Sequence, residues 1–288
     1  MSTMASHFSV SGDYTVHLDD NLHKDAPLLR YMDFNKFKLF LRNGLRLARA
    51  DVFVKDDPFE GEYTEQVYAI SRQVYKEDNG IRTYVSETLK KEVERIRKHA
   101  FVSSWALGGS ESVAMWRLYG KSDDSVAIKT TVGQIMNEIG YALQKQVTEP
   151  ANLAKFMKKQ IVKVSYIDHR TNDAAKEFLK IDDGKILHYK NVGYRHEEEI
   201  RILFDASEQG RGGIAEKTGD ACIIPIRQEK LIQEILVSPF ACDCFFKSVQ
   251  DEMERCNLAE LVKWSDLKFV PGAEVNTPPA KLRRRVGK

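Results

Sequence analysis

Residues 194–204, YRHEEEIRILF, run three consecutive glutamates into a stretch spaced like a buried strand. A repeat of two puts Ile200, Ile202 and Phe204 on the core face and Glu197, Glu199 and Arg201 on the other. Same-face neighbours stand ~7 Å apart, so long side chains can meet there or converge on one ligand. A carboxylate in that position can hold a sugar hydroxyl or stabilise a cationic transition state. Glu199, one strand step deeper than Glu197, is then the expected catalytic acid, and Glu198 points away. The same pattern also fits a solvent-facing ladder in which Arg201 neutralises two acids, an arrangement that contributes little.

Two further groups have chemistry in them. In FVSSW, Ser103, Ser104 and Trp105 close a strand, and in ESVAMWRLYG, Trp116 and Tyr119 are three apart on a helix and share a face. These aromatics either pack the core or line a pocket for a base or nicotinamide ring. Arg30 lies in an apolar strand, which is costly unless the charge is paired or meets a ligand. Asp57 or Glu60 of DDPFEG could pair with it, and so could a phosphate, whose oxygens match a guanidinium fork.

The elements that must position these residues follow from local pattern. PLLRYM reads as a strand, and Asp33 caps a helix with Phe34, Phe37 and Leu41 on one face, ended at Asn43-Gly44. LRLARA is a half-buried strand and DDPFEG a turn. Residues 64–98 have helical spacing, notably the Leu89, Val93, Ile96 stripe, and predict a solvent-facing helix. AFVSSW is a strand, ESVAMWRLYG a helix with Val113, Met115, Trp116 and Tyr119 inward, SVAIKT a strand, and Thr131 the cap of a helix over VGQIMNEIGYALQ. IVKVSYI, EEEIRILF, ACIIPI and EILVSP complete the strands, and a helix around CFFKSVQDEMERC leads to LKFV. The class is α+β, a mostly antiparallel central sheet with packed helices. Residues 1–25 read as a flexible segment, 26–270 as a single domain and 271–288 as a flexible tail with a basic cluster at Lys281, Arg283, Arg284 and Arg285.

Composition bounds the function classes. The chain has 288 residues, of which 42% are hydrophobic, so a core can form. Lys+Arg 44 against Asp+Glu 42 gives +2, so no global field points to nucleic acid or a membrane. Cys222, Cys242, Cys244 and Cys256 form no zinc pattern and read as thiols in a reducing cytoplasm; no metal is expected. No basic leader and no membrane-length apolar run is visible, so the expected location is cytoplasmic, with no membrane partner.

Taken in order, LLRYMD…FLRNGLRLARADVF…DDPFEG, SSW…MWRLYG…VAIKTT, YRHEEEIRI and LIQEILVSP resemble a bacterial family catalogued as domain of unknown function 2971, over roughly residues 27–250. More distantly, the order of elements is similar to the ADP-ribosyltransferase-like superfamily, its DNA-modifying DarT type above all. That resemblance implies a transferase or glycohydrolase using NAD, in the manner of a toxin or phage-defence effector. It implies that Arg30 or Tyr31 meets the ribose or phosphates, that Ser103, Ser104, Trp105, Trp116 and Tyr119 line the ring pocket, and that Glu197 or Glu199, beside Arg201, is catalytic. The acceptor would be a nucleic acid or a protein. A nucleic-acid-binding protein or nuclease, suggested by the basic tail and the Lys/Arg of residues 90–98, and a non-catalytic interaction protein on the same scaffold are the alternative functions.

Overall fold

The computed structural model describes residues 15–78, 81–145, 157–170, 185–207 and 218–269. The basic tail lies outside the described residues. After β1 (His17–Leu18), strand β2 (Pro27–Asp33) runs into α1 (Phe34–Asn43). Asp33 accepts the Lys36 N–H at 2.9 Å as its cap, and Phe37, Phe40 and Leu41 bury one face. Gly44 turns the chain at φ +102 into β3 (Leu45–Arg49). A Cβ there would stand 2.3 Å from the Ile224 carbonyl oxygen, so the joint needs glycine for both conformation and space.

The long helix expected over residues 64–98 is broken in three. Thr64 caps α2 (Glu65–Ser71), then β4 (Tyr75–Asp78) and β5 (Ile81–Tyr84) pair antiparallel, and α3 (Val85–His99) follows. Nor does α3 simply face solvent, because Val93 and Ile96 are buried. Next come β6 (Ala100–Leu107), α4 (Val113–Gly120), β7 (Ser125–Thr131) and α5 (Val132–Gln144). Thr131 and Gln134 form a capping box at the start of α5. IVKVSYI is two strands, β8 (Lys158–Lys163) and β9 (Ser165–Ile167). The remaining elements are β10 (Tyr189–Asn191), β11 (Glu199–Asp205), β12 (Ala221–Ile224), the short α6 (Gln228–Leu231), β13 (Glu234–Val237), α7 (Asp243–Glu254) and β14 (Val262–Trp264). LKFV contributes only a 3-10 turn at Asp266–Lys268, its last residue lying outside the described ones.

The architecture is α+β around a mixed, mostly antiparallel sheet. Its main path is β1-β8-β11-β6-β2-β7-β13-β14, with β3 joining β6 to β12. Strand β2 pairs with β6 only at Leu28–Leu29, and β3 pairs with it only at Ala48–Arg49, so two strands share one edge of β6 end to end. One sheet face carries the large core, with Leu28, Met32, Phe101, Trp105, Ile200, Ile202 and Phe204 packed on α1, α5 and α7. The other face carries two smaller cores. One gathers Val102, Leu203, Val93 and Ile96; the other gathers Leu29, Tyr31, Trp116 and Ala127. Between them β6 and β11 present Ser104, Glu199 and Arg201, and this seam is where the charges sit.

Candidate functional site

The alternation read for β11 holds. Ile200, Ile202 and Phe204 are wholly buried on the large core, and Glu199 and Arg201 take the opposite face. Glu197 does not lie on the strand. It ends a 3-10 turn (Val192–Glu197), and Glu198 then takes a left-handed conformation, φ 43, with its side chain exposed. That kink returns the Glu197 carboxylate to the side of Glu199.

The solvent-facing ladder does not survive the burial. Glu60, Glu197, Glu199 and Arg201 are each at most 4% exposed. Arg201 is the hub. Its Nε donates to Glu199 Oε1 at 2.8 Å, and its Nη1 and Nη2 donate to Glu60 Oε1 and Oε2 at 2.6 and 2.8 Å. Nη1 also reaches the Leu187 carbonyl at 2.7 Å. The second cation is Lys190, whose Nζ donates to Glu197 at 2.6 Å and to Glu199 at 3.1 Å. Strand β10, which carries Lys190, pairs in register with β9, setting Lys190 opposite Tyr166. The Tyr166 hydroxyl accepts the Glu199 N–H at 2.8 Å. Tyr119 closes the outer side, its hydroxyl donating to Glu197 Oε1 at 2.6 Å.

The electrostatics separate the acids. Burial pushes Glu199 up, but Arg201 and Lys190 beside it outweigh that and hold its carboxyl at about 2. Burial raises Glu60 above the usual carboxylate range, and nearby Glu199 adds to the rise against the pull of Arg201. Burial and the Glu197 carboxylate both push the Tyr119 phenol well up, so it stays a donor. Three carboxylates face two cations, which leaves the seam one negative charge in excess when all are ionised.

The DDPFEG turn delivers Glu60. Asp57 Oδ1 accepts the Phe59 N–H at 2.9 Å, and Arg97 of α3 grips the Glu60 carbonyl through Nε at 2.8 Å. Asp57 and Glu60 therefore do not serve Arg30; the first shapes the turn and the second pairs with Arg201. No family model, curated protein or solved structure matches this chain.

The expected pocket residues divide between the two faces. Ser104 lies on the charged face, where it helps to hold the Glu199 carboxyl low, and Tyr119 belongs to the cluster. Ser103 and Trp105 point the other way, into the large core. Arg30 is on that side too, 5.4 Å over the Trp105 ring, with no carboxylate within ion-pair distance among the described residues. Burial and nearby Arg46 lower its pKa to about 10. Tyr31 and Trp116 meet edge to face at 4.9 Å in the small core, and the Trp116 indole N–H donates to Glu111 at 2.9 Å. Val113 and Tyr119 are not inward; they are 53% and 38% exposed.

Sequence reasoning missed Lys190 and Tyr166. Each stands on a three-residue strand beside residues outside the description, and nothing local marks a lysine that will be buried. Chemically, the cluster offers one fixed acid, Glu199, and a second under the half-exposed Tyr119, Glu197, whose oxygens each keep acceptor capacity beyond the bonds from Tyr119 and Lys190.

Proposed function

We propose that the chain is an ADP-ribosyltransferase-like enzyme that consumes NAD, and that Glu197 is the carboxylate that meets the ribose. The observation that carries this reading is the Tyr119–Glu197 pair, a buried acid hydrogen-bonded to a half-exposed aromatic ring, backed by a cluster with one carboxylate in excess. A negative seam suits a reaction that develops positive charge. Nicotinamide leaves with the electron pair of its glycosidic bond, the ribose carbon becomes oxocarbenium-like, and Glu197 stabilises that cation. Water then completes a glycohydrolase reaction, or a nucleophile on nucleic acid or protein completes a transfer. Lys190 and Arg201 keep the acids in place without cancelling their charge. In this reading Ser104 and Tyr119 keep the ring-pocket role that the resemblance implies, Tyr166 joins them, and Ser103, Trp105, Trp116 and Arg30 are set aside. Depletion of NAD, or modification of a macromolecule, would suit a toxin or phage-defence effector.

A thermal-shift series with NAD, ADP-ribose and nicotinamide tests the ligand. A ligand at about 100 times its Kd stabilises the native state by ~2.7 kcal/mol, a readable shift. NAD or ADP-ribose raising the melting temperature of the parent, and less that of Tyr119→Ala, is expected. No shift with any of the three at millimolar concentration would leave a non-catalytic interaction protein as the better reading.

A further inference from the structure

Away from the charged seam, the turn after β13 carries Cys242 and Cys244, joined as a disulfide. This corrects the reading of four separate thiols. Cys222 is buried, its thiol pushed up to about 12 by burial, and Cys256 is exposed. The two bonded cysteines are themselves exposed. Three features set this bond apart from a structural staple. With a sequence separation of 2, it closes about the smallest loop a chain can make, so it removes little disorder from the unfolded state. Its exposure lets an attacking thiolate reach either sulfur. And Cys242 is the N-cap of α7, a twelve-residue helix, with its Sγ accepting the Phe245 N–H at 3.4 Å. A thiolate released there gains that N–H and the positive end of the helix, and Lys268, anchored on the Ala241 carbonyl at 2.6 Å, adds a cation on this side, with Asp243 the acid of the helix's first turn.

We propose that Cys242 and Cys244 form a redox-active dithiol/disulfide site that exchanges with small thiols of the glutathione class. The thiolate of one small thiol attacks Cys244 Sγ, the Sγ–Sγ bond breaks, and Cys242 leaves as the helix-capped thiolate. A second thiolate attacks the external sulfur of the mixed disulfide, and Cys244 leaves in turn. The sum is protein disulfide plus two thiols giving protein dithiol plus one small disulfide, a two-electron exchange. Stabilisation of the leaving thiolate at position 242 by the Phe245 N–H and the helix end speeds the first step.

The test is native-state alkylation of the full chain in glutathione buffers, read by intact mass. In oxidised buffer only Cys256 should label. In reduced buffer Cys242 and Cys244 should label as well, reversibly, while Cys222 waits for unfolding. Peptide mapping of Cys242→Ser should show Cys244 holding a mixed disulfide with glutathione in place of the internal bond. Unchanged melting temperature between the buffers is the control for the fold. Labelling of Cys242 and Cys244 at every glutathione ratio, or at none, would overturn the proposal.

Discussion

Glu199 and Glu197 differ by one kink at Glu198, and that kink assigns them different work. Glu199 is enclosed by Arg201, Lys190, Ser104 and the Tyr166 hydroxyl, so Glu199→Gln leaves Arg201 with Glu60 and Lys190 with Glu197 as their remaining acids and weakens two buried hydrogen bonds. It should cost ~1–3 kcal/mol in urea unfolding, the range for buried groups left short of a hydrogen-bond partner. A loss below 1 kcal/mol would mean the cluster is more solvated than the geometry indicates. Tyr119→Phe removes one hydrogen bond from a half-exposed ring and should cost only about 1 kcal/mol, while weakening ligand binding. His188 gives a pH signature. Burial, Lys185 and Arg201 hold its pKa near 4, below the ordinary 6.5, and its Nε2 is buried without a partner. A folded value below the unfolded one means stability that is complete above pH 6.5 and is lost as pH falls towards 4, by up to ~3 kcal/mol. In His188→Gln the unfolding free energy should fall less over that window; identical slopes would remove His188 from the account. The alternation that buries Ile200 and exposes Glu199 to the seam was legible from the sequence. The kink was not, because nothing in EEE marks which glutamate takes positive φ.

At the scale of elements, local chemistry was readable wherever one residue decides the outcome. Asp33, Gly44 and Thr131 begin or end elements where capping rules put them. Gly44→Ala tests the joint between α1 and β3, and it should destabilise by more than ~1 kcal/mol, since the new methyl meets backbone and not a side chain that can move. A neutral result would show that the turn relaxes. Periodicity misled over residues 64–98, where a β-hairpin separates α2 from α3 and each helix buries a face of its own. Periodicity also put Val113 and Tyr119 of α4 inward with Met115 and Trp116. Only Met115 and Trp116 pack, while Tyr119 leans over the seam. Trp116→Ala should therefore cost ~3–5 kcal/mol as a core truncation, and its ligand affinity, measured on the folded fraction, should stay near the parent's. A parent-like stability with lost affinity would return Trp116 to the pocket.

For the whole molecule, the class was visible and the strand order was not. Arg201 meets Glu60 across 141 residues of chain, and Lys190 and Tyr166 come together only through the β9–β10 pair. Arg30 and Tyr31, neighbours on β2, serve opposite faces by the alternation of the strand. No single-strand pattern encodes which face receives the acids. The sheet separates a large apolar core from a face with two small cores, and the charge cluster fills the seam between them. That division gives the central claim its sharpest form: Glu197 reacts and Glu199 supports. The decisive measurement is nicotinamide release from NAD by the parent, Glu197→Gln and Glu199→Gln, each normalised to its folded fraction. The parent should turn NAD over, Glu197→Gln should lose ~10²–10³-fold in rate at near-parent stability, and Glu199→Gln should lose stability first and keep turnover in the molecules that remain folded. Parent-like turnover in Glu197→Gln, or a parent that releases no nicotinamide, would contradict it.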